Sequence, residues 1–336
     1  MKAWQLTDTG GIASYALGEV DEPTPGPGQV RVALRTMGLN HLDIWVANGL
    51  PAPSNLPFIG GADGAGVVDA VGEGVAGFEI GDEVIVDPSF SCGHCAYCRR
   101  DEIVYCDDFG IMGEEVPGTF AEKVVIPTIN AVRKPAAMEW DTAGTFGLAS
   151  VTALRMLEKT RLMEGETVLV VGVGGGVSAA AFQFAKGHGA KVYVTSRSEE
   201  KIAWAMAEGA AGGFDSASEF GKAMTELGGA DVVIDNVGPA TFKQSMRAAK
   251  KGGRIAIVGA TSGAKLELTL PVLWYKQLEL IGSTMGNHAQ FARALYLISQ
   301  GHASSPIDRM FAFDELPDAL SHLESGAQTG KVGLTH

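Results

Sequence analysis

The feature that most constrains this chain is a glycine-rich turn, Gly172-Val173-Gly174-Gly175-Gly176-Val177-Ser178, set between two regular segments. Before it runs Thr167-Val168-Leu169-Val170-Val171, a continuous apolar stretch of the kind found in strands buried on both faces. After it comes a helix-like stretch from Ser178 to Lys186 that ends near Gly189. Glycines permit a tight bend and a close approach of backbone to a pyrophosphate, and the helix N-terminus then offers its partial positive charge to the phosphates. A glycine-rich turn alone is often only a tight turn, but this one sits inside a strand–turn–helix unit. Gly172, Gly175, Gly176 and Val177 are therefore cofactor-binding candidates. Ser178 stands where the last glycine of such a turn falls, a position that needs a small residue for helix–strand packing.

The same rhythm continues along the second half. Lys191-Val192-Tyr193-Val194-Thr195, Asp231-Val232-Val233-Ile234-Asp235, Arg254-Ile255-Ala256-Ile257-Val258 and Leu278-Glu279-Leu280-Ile281-Gly282 read as strands, with a helix expected from about Ser198 to Ala207. Strands alternating with helices imply an α/β fold with a parallel, doubly wound sheet. The first half differs. It is rich in Gly, Pro and Val, with short alternating runs such as Val30–Leu34, Gly66–Val68 and Val84–Val86, and reads as a compact β domain. A helix is expected from Ala289 to Ser299, followed by a mixed tail.

The end of the second strand of the dinucleotide unit selects the cofactor. An NAD site places a carboxylate there for the ribose 2′-hydroxyl. This chain instead reads Thr195-Ser196-Arg197-Ser198. A guanidinium can pair bidentately with a 2′-phosphate, which points to NADPH, with Ser196 and Arg197 as contacts. The plainer alternative is that Ser196 caps the next helix, with Glu199 completing a capping box.

All four cysteines lie in one segment, Cys92, Cys95, Cys98 and Cys106, spaced C-x2-C-x2-C-x7-C. Four thiolates suit a tetrahedral Zn²⁺ in a closed, structural site with no open position for substrate. Disulfides and an iron–sulfur cluster are the alternatives; the first is disfavoured by an intracellular setting and the tight clustering.

The 336 residues suggest two domains at roughly 100–200 residues each. A net charge of −13 without a Lys/Arg run argues against nucleic acid and anionic membranes as partners. The N-terminus MKAWQLTDTG lacks the apolar run of a signal peptide, and no window reaches the length of a membrane span, so a soluble, cytoplasmic protein is expected.

Taken together, Gly38-Leu39-Asn40-His41-Leu42-Asp43, Gly61-Ala62-Asp63-Gly64-Ala65-Gly66, the four cysteines, Gly172 to Ser178 and Gly330-Lys331-Val332 resemble the medium-chain dehydrogenase/reductase superfamily over almost the whole chain. The resemblance implies a GroES-like β-barrel catalytic domain at 1–147 carrying a zinc lobe at about 90–108, a Rossmann domain at 148–287, and a C-terminal return to the catalytic domain at 288–336. It also implies that Thr152 and Val177 flank the nicotinamide and that Lys201 supports the adenosine phosphate. Asn236, Val237, Gly259 and Ala260 would pass under the cofactor, Lys331 would supply a cation near the pyrophosphate, and Met285-Gly286 would lie near substrate. The strand Leu278–Thr284 would pair across a two-fold axis, giving a homodimer or homotetramer.

One part of the family pattern is missing. The zinc alcohol dehydrogenases bind a second, catalytic zinc through a cysteine where this chain has Asn40, and through a Gly-His-Glu motif where it has Gly61-Ala62-Asp63. Gly147-Leu148-Ala149-Ser150 holds neither the cysteine nor the aspartate of the third ligand, and Leu42 replaces the proton-relay hydroxyl. An amide, a methyl and one carboxylate make a poor zinc site. The resemblance therefore narrows to the quinone oxidoreductase and enone (enoyl) reductase branch, retaining only the structural zinc lobe. Its members reduce a small quinone, enone or carbonyl substrate by hydride transfer, and hydrogen-bond donors can stabilise the enolate. Asn40, His41 and Asp63 are the catalytic candidates. Asn40 would be the amide donor or, alternatively, an Asx-turn residue. Asp63, like Asp43, reads more readily as a structural hydrogen-bond acceptor than as a catalytic group. The competing readings are an alcohol dehydrogenase with an atypical metal site and a non-catalytic, crystallin-like cofactor-binding protein.

Overall fold

The strands expected from residue 167 onward lie in one six-stranded parallel sheet in the computed structural model, which describes all 336 residues. The spatial order is Gly212–Asp215, Lys191–Ser196, Thr167–Val171, Ala230–Asp235, Ala249–Ile257 and Glu279–Gly282. The strand with the apolar run Thr167–Val171 is central, and Val168, Leu169, Val170 and Val171 are all buried because helices cover both faces. Helix Gly176–Gly187 follows it directly, and helix Glu199–Ala207 follows the next strand. One side of this core gathers Leu169, Val171, Tyr193, Phe220, Met224, Val233, Phe242, Met246 and Ile255.

Two features differ from expectation. Gly212–Asp215 forms the outer strand beside Lys191–Ser196, although its Gly-Gly start carries no strand signal. The glycines are there for packing: a Cβ on Gly213 would come within 2.3 Å of Ile202 Cγ2. The strand expected at Arg254–Val258 begins earlier, at Ala249, with a register shift opposite Ala230–Val232.

The chain divides into two compact units. One comprises Met1–Ala149, Gly286–Ser299 and Ile307–His336; the other comprises Ser150–Met285 and Gln300–Pro306. In the first unit a seven-stranded sheet is organised around the long strand Gln29–Leu39. That strand pairs with Asp63–Val71, with Lys123–Pro127 and, at its C-terminal end, with Lys331–Thr335. Val30, Val32, Met37, Leu39, Val68, Val84, Ile126, Leu334 and the helix residues Leu316, Leu320 and Leu323 close its apolar core.

Strand register in this unit decides which polar groups meet. Gly38 pairs with Asp63 on one side and Leu39 pairs with Val332 on the other. The residues just past these pairs, Asn40 and Lys331, are therefore brought to Asp63 by the sheet itself. Gly38 has to be glycine, since a Cβ would lie 2.9 Å from Asp63 Cβ and 2.8 Å from Thr145 Cα. No helix of the protein is long and apolar enough to cross a membrane.

Candidate functional site

In the second unit the glycine-rich turn is built as a phosphate-binding turn requires. Gly172 has φ +74° and Gly174 φ +125°, both in the region that disfavours side chains. A Cβ on Gly172 would meet Val237 Cγ2 at 2.7 Å, and one on Gly174 would meet the Lys201 side chain at 2.5 Å. Gly174, absent from the sequence-based candidates, is thus the glycine over which Lys201 lies. Gly175, by contrast, has open space where a side chain would be and serves as the N-cap of helix Gly176–Gly187. The Ser178 hydroxyl hydrogen-bonds Val171 O at 3.1 Å and Asn236 Oδ1 at 3.0 Å, tying the helix start to the strand on either side of the turn. The backbone N–H of Gly172 donates to Thr195 Oγ1 and that of Val173 to Thr195 O.

The neighbouring turn is held by Asp235, which sequence reasoning assigned only to a strand. This fully buried carboxylate accepts the N–H groups of Val237 and Gly238 and the hydroxyls of Thr241 and Ser245, the last at 2.6 Å. An acidic residue ending a buried strand before Asn-Val-Gly-Pro is the signal that would have found it. The exposed loop of Gly259 and Ala260 is fastened to the same turn: Ser262 N and Oγ both reach Val237 O, and Thr261 Oγ1 reaches Asn236 O.

At the end of strand Lys191–Ser196 the capping expectation is corrected. The N-cap is Ser198, whose hydroxyl accepts from Lys201 N at 3.3 Å, and Glu199 is the first helical residue, so no Ser196–Glu199 box forms. Ser196 is buried and instead accepts from Ser198 N at 3.2 Å, shaping the bend. Helix capping therefore leaves Arg197 no part; its side chain projects into solvent. Thr152 is buried, with its hydroxyl 3.8 Å from Met285 Sδ.

In the first unit Asn40, Asp63 and Lys331 form one buried cluster. Lys331 Nζ donates to Asn40 Oδ1 at 2.6 Å, to Leu39 O at 2.8 Å and to Asp63 Oδ2 at 3.0 Å. Asn40 Nδ2 donates to Asp63 Oδ2 at 3.0 Å, and Asp63 Oδ1 accepts from Leu148 N at 2.6 Å. Lys331 was expected near the pyrophosphate; here its ammonium, with three N–H donors, bonds three oxygens of its own unit. Asn40 is the N-cap of the following helix, and its side chain also bonds Lys331 and Asp63. That helix, His41–Ala47, is capped by Asp43: its carboxylate accepts from Asn40 N at 2.7 Å while its own N–H reaches Asn40 O. Asp63 is 1% exposed, so it touches its protein partners and not solvent.

Burial shifts the acid–base groups around the cluster. The wholly buried Asp43 carboxyl is pushed up to about 7 by desolvation, with the Asp63 charge adding to it against the opposing pull of Lys331 and of the Asn40 and Gly61 backbone. Its Oδ1 and the nearby buried Tyr15 hydroxyl make no hydrogen bond. His41 is held below its usual value by burial and then by the Lys331 charge, which keeps the imidazole neutral at pH 7.

The lobe brings its cysteines together. The four sulfurs lie within 4.8 Å of one another, with Cys95–Cys98 at 3.5 Å and Cys92–Cys98 at 3.8 Å. Sulfurs around a tetrahedral zinc, with bonds of about 2.3 Å, sit about 3.8 Å apart, so the set fits a metal and is far from the ~2.05 Å of a disulfide. Backbone N–H groups of Cys95 and Cys98 point at Cys92 Sγ and Cys95 Sγ, as needed to support thiolates. The lobe is also fastened to helix His288–Ser299: Asp101 accepts Asn287 Nδ2 at its carbonyl and Ala289 N at its carboxylate, and His288 Nδ1 lies 2.7 Å from Asp87 Oδ2.

Comparison with known proteins decides the family. Residues 26–136 match the alcohol dehydrogenase GroES-like domain and residues 176–300 the zinc-binding dehydrogenase domain. An alcohol dehydrogenase of Schizosaccharomyces pombe is 30% identical across 97% of this chain and 95% of its own. The chain belongs to the medium-chain dehydrogenase/reductase superfamily, in its zinc-type alcohol dehydrogenase-like branch. Another superfamily member, the acryloyl-coenzyme A reductase of Metallosphaera sedula, is 32% identical over 96% of each chain. A crystal structure described as an NAD-dependent alcohol dehydrogenase superposes with TM-score 0.95 at 38% identity, covering all of both chains. The protein is thus an NAD(P)H-dependent oxidoreductase of the superfamily, with a GroES-like and a Rossmann-like domain.

Proposed function

We propose that this enzyme uses NADPH to reduce an activated C=C bond or a quinone, without a catalytic metal. The observation that carries this reading is the Lys331 ammonium, 2.6 Å from Asn40 Oδ1 and 3.0 Å from Asp63 Oδ2. The family's catalytic zinc takes ligands from the positions that Asn40 and Ala62 hold in this chain, and Asn40 is committed to that ammonium. An amide and a carboxylate already bonded to a buried cation, with the Ala62 methyl where the family has its histidine, are an unsuitable donor set for it.

NADPH, when bound, supplies the hydride. Arg197 would pair with the 2′-phosphate, Lys201 and the turn through Gly172, Gly174, Gly175 and Gly176 would receive the phosphates, and Thr152 and Val177 would flank the nicotinamide. The Asn236–Gly238 turn, fixed by Asp235, and the Gly259–Ala260 loop would line the remaining cofactor surface. Conjugate reduction places the hydride on the β-carbon, a proton on the α-carbon, and transient negative charge on the carbonyl oxygen. The Asn40 amide is the group that donates to that oxygen, a role worth a few kcal/mol. Neutral His41 suits a proton relay better than a standing acid. The four lobe cysteines would hold one structural zinc, whose contribution is to fold the lobe.

The names of the S. pombe relative and of the similar crystal structure favour a second reading, alcohol oxidation with NAD; the acryloyl-coenzyme A reductase favours the first. A screen of enones, quinones, enoyl thioesters and simple alcohols with NADPH and NADH separates them. NADPH consumption with one of the first three supports the proposal; turnover of alcohols alone rejects it.

A further inference from the structure

An amide is a good catalytic donor only if its nitrogen, not its oxygen, faces the substrate. Left alone, an asparagine side chain can flip, and the flipped state would set two oxygens against each other. The groups around Asn40 remove that freedom. The Lys331 ammonium has only donors to offer, so the amide group facing it must be Oδ1, at 2.6 Å. The Asp63 carboxylate has only acceptors to offer, so the group facing it must be Nδ2, at 3.0 Å. The two clamping groups also bond each other at 3.0 Å and are almost fully buried. Leu39 O and Leu148 N take up their remaining contacts, so neither can move away without losing a bond. Of the two N–H bonds on Nδ2, one goes to Asp63 and the other stays available.

We propose that Lys331 and Asp63 are positioning residues that lock the Asn40 side-chain amide in one orientation, so that its one unengaged N–H is offered to the carbonyl oxygen of an enone, quinone or enoyl thioester. The inference rests on the reading of Asn40 as the substrate's donor, given above. On this account a sheet-borne cation acts through the amide instead of touching the substrate. Lys331 and Asp63 are not themselves catalytic residues, and cofactor binding does not depend on them.

A double-mutant cycle between Asn40→Ala and Lys331→Met tests this, read in kcat with the best acceptor of the screen and in the KM for NADPH. Each single change is expected to lower kcat roughly hundredfold, the usual loss of one oxyanion donor, with the NADPH KM unchanged. The double variant should be no slower than Asn40→Ala alone, because Lys331 works only through the amide. Losses that multiply would overturn the proposal, since a merely structural lysine acts independently of Asn40. Lys331→Gln, which still donates to Asn40 Oδ1, is expected to recover much of the lost rate. A second readout needs no substrate. In protein labelled with ¹⁵N-asparagine, the Asn40 side-chain resonances, assigned by their loss in Asn40→Ala, should show one N–H proton shifted downfield by its bond to Asp63 and protected from solvent exchange, both features being lost in Lys331→Met. Shift and exchange like those of an exposed asparagine in the parent protein would refute the positioning even if no acceptor is ever found. A locked amide in an enzyme that turns over no enone or quinone would leave the positioning standing and remove the proposed function.

Discussion

Lys331 and Asn40 stand 291 positions apart in the chain, yet Lys331 Nζ donates to Asn40 Oδ1 at 2.6 Å. Strand Gln29–Leu39 carries the asparagine at its end and strand Lys331–Thr335 the lysine at its start, and the pairing of Leu39 with Val332 fixes their meeting. The cluster is a buried ion pair whose partners need one another. Asp63→Asn is expected to leave the ammonium uncompensated and to lower unfolding stability by about 3–5 kcal/mol, the usual cost of breaking a buried pair. Urea denaturation of the purified variant, followed by fluorescence, checks it; a loss below about 1 kcal/mol would mean that solvent reaches the pair.

On the proposed reading, cofactor choice hangs on one exposed side chain. Arg197→Ala is expected to raise the KM for NADPH about tenfold to a hundredfold, the worth of charge-assisted hydrogen bonds to a phosphate. The KM for NADH should stay within about twofold, because NADH has no 2′-phosphate. Steady-state kinetics with both cofactors checks this; an equal effect on the two would assign Arg197 to another role.

The cysteine lobe reaches beyond its own loop. Cys98→Ser should cut bound zinc below one per chain, as measured by atomic emission. Because Asp101 holds Asn287 and Ala289, the same change should also speed amide hydrogen exchange at the start of helix His288–Ser299. Exchange confined to residues 90–108 would show that the helix is held without the metal.

How far the sequence could be read depended on whether the deciding contact was local. The strand, glycine turn and helix from Thr167 to Gly187 are consecutive, and periodicity with turn chemistry placed them nearly to the residue. The cysteine spacing worked for the same reason. The strand at Gly212–Asp215 escaped because its glycines answer to Ile202 and Tyr193 across space and carry no apolar pattern. Asn40 and Asp63 were found as candidates because they replace expected ligands, but their bond to Lys331 depends on a three-strand register that no single segment contains. Lys331 was accordingly read as a phosphate contact. Asp235 was missed because its role lies in four backbone and hydroxyl groups that gather only once the turn forms.

The buried Asp43 gives stability a pH dependence of known sign. Its pKa is near its ordinary value, about 3.8, when unfolded and about 7 when folded. Between these values the folded state binds more protons than the unfolded one, so its contribution is fully present below about pH 4 and is lost as pH rises through 7. Asp43→Asn should therefore flatten the pH dependence of unfolding free energy between pH 5 and pH 8, approximately the window where the shift acts. An unchanged slope would show that Asp43 is ionised in the folded protein.

The outer strand Glu279–Gly282 leaves one edge unpaired, and helix Leu270–Lys276 beside it exposes Trp274 and Tyr275 by 65% and 63%. Apolar surface next to an open strand edge is the arrangement a two-fold pairing would cover. Sedimentation should give a mass of at least twice 35.0 kDa for the parent protein, and Trp274→Asp should shift it toward the monomer. A monomeric parent would remove the homodimer from the account.

Metal content and turnover, measured on one preparation, test the central claim most directly. The account predicts one zinc per chain, held by the cysteines, together with full NADPH-dependent reduction of an enone or quinone. Two zincs per chain, with turnover that disappears and returns as the second is removed and restored, would contradict it.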